Sequence, residues 1–103
     1  MPDPRIFPIE SVTDGFAAVT GVSVIVLVAN PFRADTDFTN DGDDVIYLAR
    51  GHAAVVDSGQ RLNPNGGAYH IGTNNLFLGA IHAISDGGEQ EETNLAISEG
   101  NRP

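Results

Sequence analysis

Residues 40–67, NDGDDVIYLARGHAAVVDSGQRLNPNGG, are the stretch that decides the fold. Asn40-Asp41-Gly42, Asp57-Ser58-Gly59 and Asn65-Gly66-Gly67 are turn signals, because Asn, Asp and Gly tolerate the positive φ of tight turns. Between them lie two apolar runs, Val45-Ile46-Tyr47-Leu48 and Ala53-Ala54-Val55-Val56, in which Val, Ile and Tyr suit a pleated surface. The reading is strand, turn, strand, turn, with no reacting group inside it. A small all-β domain that binds or builds something is expected, and an enzyme is not.

Working outward, Arg61-Leu62 predicts a brief strand, residues 68–71 another, and residues 76–84 the longest late one. In that last run Leu76, Leu78, Ala80, His82 and Ile84 share one face, and Phe77, Gly79, Ile81 and Ala83 the other. Residues 93–98 close the series. On the N-terminal side, residues 16–19 predict a short strand and residues 22–29, VSVIVLVA, a strand that is apolar on both faces. Residues 32–38 read as a connection or an irregular strand. No 3.6-residue apolar period occurs, so the expected fold is all-β: a small antiparallel β-sandwich or barrel, jelly-roll-like, with an extended N-terminal arm. The divisions are an arm over residues 1–14, which holds Pro2, Pro4 and Pro8, a β-sandwich domain over 15–99 and a tail over 100–103. Strands apolar on both faces need a second cover. The candidates are the N-terminal arm and a second subunit, and a subunit interface through Val24, Val26, Val28, Leu76 and Leu78 is the expected one.

The chain has 103 residues, one domain's worth, and no cysteine. Its 14 acidic residues against 5 basic ones, all arginine, give a formal net charge of −9. Such a surface is driven off phosphate backbones, so nucleic-acid binding is not expected. MPDPRIFPIE lacks the basic start and apolar run of a signal peptide, and residues 24–29 are too few to cross a bilayer, so no membrane insertion is expected. Many short carboxylates without lysine suit concentrated salt, where self-repulsion is screened. A halophilic host is the expectation, although an acidic surface also serves ordinary solubility.

Asp35, Asp37, Asp41, Asp43 and Asp44 are hard oxygen donors near a Gly turn, a setting that suits calcium or another cation. The EF-hand spacing fails, because with Gly42 at the sixth position the bidentate glutamate would fall on Leu48. A solvated acidic hairpin that blunts a sheet edge is the expected role, and no metal or cofactor is expected. His52, His70 and His82 have no metal-ligand spacing, and Ser58, Ser85 and Ser98 lack a nucleophile-elbow context. No catalytic residue is expected.

The order of five segments carries a resemblance: NPFR at 30–33, FTNDGDDVIYL at 38–48, GQRLNPNGGAYHI at 59–71, GAIHAIS at 79–85 and TNLAISE at 93–99. It resembles small β-sandwich virion proteins of tailed viruses of prokaryotes, across roughly residues 22–99. The chain departs from that pattern at His82, where an aromatic is usual, and at Gln60, where an apolar residue is usual. The resemblance implies a protein that decorates the outer surface of the capsid, here of a haloarchaeal virus. It would form a trimer or pentamer and contact the major capsid protein or another virion protein. Ile6, Phe7 and Ile9 would anchor the arm on the shell. The alternative is a tail or fibre module that binds host glycan or S-layer through the turn residues Asn63, Asn65, Tyr69, Asn74 and Asn75.

Overall fold

The computed structural model describes residues 9, 11–88 and 91–102. Eight strands are β1 (Ser11–Val19), β2 (Val24–Leu27), β3 (Arg33–Asn40), β4 (Ile46–Arg50), β5 (Gln60–Leu62), β6 (Ala68–Ile71), β7 (Ile81–Ser85) and β8 (Thr93–Asn101). They form two antiparallel four-stranded sheets, sheet A in the order β1-β8-β3-β6 and sheet B in the order β2-β7-β4-β5. The pairs β1 with β8, β2 with β7, β3 with β6 and β4 with β5 are nested like a single long hairpin folded over on itself. That is the jelly-roll order, and the small antiparallel sandwich expected from the sequence is the fold.

Period-2 alternation builds the core. Phe38 of β3, Ile71 of β6 and Leu95 and Ile97 of β8 meet Ile46 and Leu48 of β4, Leu62 of β5 and Ile81 and Ala83 of β7. Each large side chain buried this way contributes about 1.5–3 kcal/mol. Two of the three turn signals use positive φ as read: Asp57 and Gly59 before β5, Asn65 and Gly66 before β6. The first does not. Gly42 is required there for space, since a Cβ on it would run into the Thr93 side chain.

Three local expectations change and one is sharpened. Of the two readings of residues 32–38 the irregular strand holds: residues 33–40 form a strand at the centre of sheet A with a register shift between Arg33 and Asp35, and its inward positions include the polar Thr36 and Asn40 beside Ala34 and Phe38. Residues 53–56 form no strand: the chain leaves β4 through Gly51 at φ +81° and becomes a covering loop. The strand expected over 76–84 begins only at Ile81, because the Phe77 and Gly79 carbonyls are taken by Arg33 instead of a ladder partner. Residues 11–14, assigned to the arm, already belong to β1, and β8 runs on to Asn101. Ile6 and Phe7 lie outside the described residues. Ile9 is exposed and lies beside Gly100.

Candidate interaction surfaces

Two buried polar side chains set the ends of β3. A register shift between Arg33 and Asp35 turns Arg33 inward, as bulges do when they re-aim a side chain. Fully buried, its guanidinium donates to Glu99 Oε2 at 2.7 Å, to the carbonyls of Phe77 (2.7 Å) and Gly79 (2.9 Å), and to the Val28 carbonyl at 2.7 Å. It therefore ties β3 to β8 and to the approaches of β2 and β7. At the other end Asn40 Nδ2 donates to the carbonyls of Asp44 (2.7 Å) and Leu62 (3.0 Å), while its Oδ1 accepts from Gly42 N–H. The NPFR segment thus acts structurally: the Asn30 side chain accepts from Phe32 N–H and donates to Asn101 Oδ1 at 2.5 Å.

The outer face of sheet B is largely roofed by its own chain. Tyr47 and Ala49 sit opposite Ile84 and His82, away from the core, yet each is only 4% exposed. The loop 51–59 covers them. Ala54 N–H bonds Ser23 Oγ next to β2, and the Tyr47 hydroxyl donates to Asp57 Oδ1 at 3.0 Å. Burial, and then the Asp57 carboxylate that accepts its hydrogen bond, push the Tyr47 hydroxyl above the ordinary tyrosine value against the opposing pull of Arg61. The fold holds the neutral phenol, so this contribution is whole below about pH 10 and falls as pH rises through the folded-state value. The chain itself therefore covers β4, a strand outside the two for which a partner subunit is the expected cover.

The roof stops at β2. Val24 and Val26 are half-buried, and Val26 and Leu76 pack on the core, whereas Val28 is 71% exposed, with Ile25, Val22, Leu78 and Val55 also in solvent. Of the five interface residues expected, Val28 and Leu78 are the ones free to meet a partner.

Among the described residues no loop like 51–59 covers sheet A, and Ile9 lies against the buried Gly100 at one end of its outer face. That face carries rows set by register: Val12, Gly100 and Asp35; Asp14, Ser98, Asp37 and His70; Phe16, Ala96, Thr39 and Ala68. Ser98 Oγ donates to Asp14 Oδ1 at 2.6 Å, and His70 Nδ1 pairs with Asp37 Oδ1 at 2.6 Å. A shallow trough of about 250 Å³ runs over Ala96 and Ser98 between Asp14 and Asp37. The Ser98 and His70 bonds go to different carboxylates, so this row makes no nucleophile and base pair.

The acidic residues do not converge. Asp35 and Asp37 lie on the outer face of β3, Asp41 and Asp43 are exposed beyond its far end, and Asp44 accepts from Thr93 Oγ1. Among the described residues no three His, Asp or Glu side chains gather as a metal site. The adhesion residues also split. Asn63 and Asn65 precede β6 while Asn74 and Asn75 follow it, about 13 Å of strand apart. Tyr69, on β6, packs toward the core, and its hydroxyl lies 3.5 Å from Asn75 Nδ2. Sequence reasoning missed the outward row of Val12 and Phe16, exposed at 57% and 76%, because the boundary between an arm ending at 14 and a strand starting at 16 split it; the alternation of both with Asp14 was the available signal.

No family model, no curated protein and no solved structure matches the chain.

Proposed function

We propose that the protein is a structural component of a virion, decorating the outer surface of a tailed-virus capsid as a homo-oligomer that stabilises the shell. The observation that carries this reading is a jelly-roll sandwich whose uncovered side chains at the β2 side, Ile25, Val28 and Leu78, are apolar. Jelly rolls serve capsid and lectin domains alike, and uncovered apolar surface favours assembly over sugar binding. The adhesion alternative has less support, because Tyr47 is roofed over and the Asn-rich turns stand at opposite ends of β6. The net charge of −9 supports a haloarchaeal setting for the virion.

Light scattering in multimolar NaCl, with chelator and with calcium, tests the assembly. A trimer or pentamer is expected, and Ile25→Asp with Val28→Asp should return it to monomer. A wild-type monomer in every buffer would remove the assembly reading. Melting curves in the same series should shift upward with salt.

A further inference from the structure

We infer that β1 is a docking edge for an extended strand of a partner protein with the pattern, from its N-terminus, apolar–aromatic–basic–polar–apolar, paired antiparallel to residues 12–16. The inference rests on the virion reading only for where such a partner resides.

The four edge strands of the sandwich differ in one respect. β5 has three residues and β6 four, and β2 has four with a register shift between Ile25 and Leu27. Short length and bulges are the usual means of blunting an edge. β1 has neither: its nine residues pair with β8 in unbroken register from Ser11 to Val19, and it contains no proline or lysine. Among the described residues the row of backbone donors and acceptors on its far side has no ladder partner, the template used in strand addition.

The side chains specify the occupant. Val12, Asp14 and Phe16 point outward from sheet A, in the order apolar, acidic, aromatic. Residues directly opposite on an added strand share that face, so they are best matched by an apolar residue, a Lys or Arg, and an apolar residue. On the inner face Gly15 has nothing within 4 Å of where its Cβ would stand. A glycine in mid-strand that no intramolecular contact requires marks a close approach from outside, and an aromatic residue opposite it packs over the bare backbone. A second copy of this chain fits less well. It brings another net charge of −9 and a second Asp14 to the same edge.

The test uses the whole protein and a synthetic peptide, Ac-Thr-Val-Phe-Lys-Thr-Val-Thr-amide, titrated while backbone amides are followed by NMR. Saturable shifts confined to residues 11–19 and the adjoining β8 are expected. Replacing the peptide's Lys by Glu should weaken binding roughly fivefold, and Asp14→Lys should reverse that preference. Shifts on another edge, no saturable shift, or indifference to the peptide's charge would overturn the inference. So would self-association through β1, seen as a mass increase abolished by Phe16→Lys. No capsid enters this experiment, so its failure leaves the virion reading to be decided by the light-scattering series.

Discussion

Strands β3 and β1 flank the same strand, β8, with registers of similar length, yet they do opposite things. Most of β3 is buried and each end is fastened by a polar side chain; most of β1 is exposed and no strand among the described residues pairs along its outer edge. Ladder hydrogen bonds are common to both, so the difference lies in side chains. Cohesion of the two sheets resides at β3, and the capacity for new contacts resides at β1.

The strongest way to break this comparison is Arg33→Met. It would leave Glu99 without its cation and the carbonyls of Val28, Phe77 and Gly79 without a donor. Removing one partner of a buried pair costs about 3–5 kcal/mol. That is a large share of the roughly 5–15 kcal/mol holding a domain together. The denaturant midpoint in high salt should fall accordingly, or the protein should fail to fold. A shift below about 1 kcal/mol would show that β3 is not the fastened strand.

Asn40→Leu acts at the other end. Branched at Cγ like asparagine but bulkier, leucine removes two donors and one acceptor, leaving the Asp44 and Leu62 carbonyls and Gly42 N–H to find other partners. About 2–3 kcal/mol of stability should be lost. Because Asn40 also bonds through its backbone to Gly66 and Gly67, hydrogen exchange should quicken first in the turn between β5 and β6.

The same contrast explains what was legible in the sequence. The sandwich class followed from turn residues between apolar runs, and those signals are local. β3 was legible only as a connection or an irregular strand, because Thr36 and Asn40 are inward yet polar, and Asn40 finds a partner in the remote Leu62. The role of loop 51–59 was equally hidden: Val55-Val56 has strand composition, and only the bond from Ala54 to Ser23 shows that the segment is a cover. Of the residues expected at an interface, Val28 and Leu78 are exposed, while Val24 is half-buried and Val26 and Leu76 pack on the core. The acidic residues were visible as types, but their separation along β3 and beyond it depends on register.

Gly15→Val sharpens the comparison most finely, since it separates stability from contact at one residue. Gly15 has no positive φ and no neighbour within 4 Å of a Cβ, so valine meets no clash within the chain. It also restricts the unfolded backbone and suits an extended strand, which should stabilise the fold by about 0.5–1 kcal/mol. Yet the same side chain would occupy the space over which a partner's aromatic residue packs. The variant should therefore melt higher than the wild type while binding the Lys-bearing peptide more weakly. The corresponding change on β3, Thr36→Val, would remove a buried hydroxyl bonded to the Asp35 carbonyl and change no exposed contact. If Gly15→Val instead strengthened peptide binding, the glycine would be a defect of the strand with no part in docking, and β1 would be an edge kept open by its backbone alone.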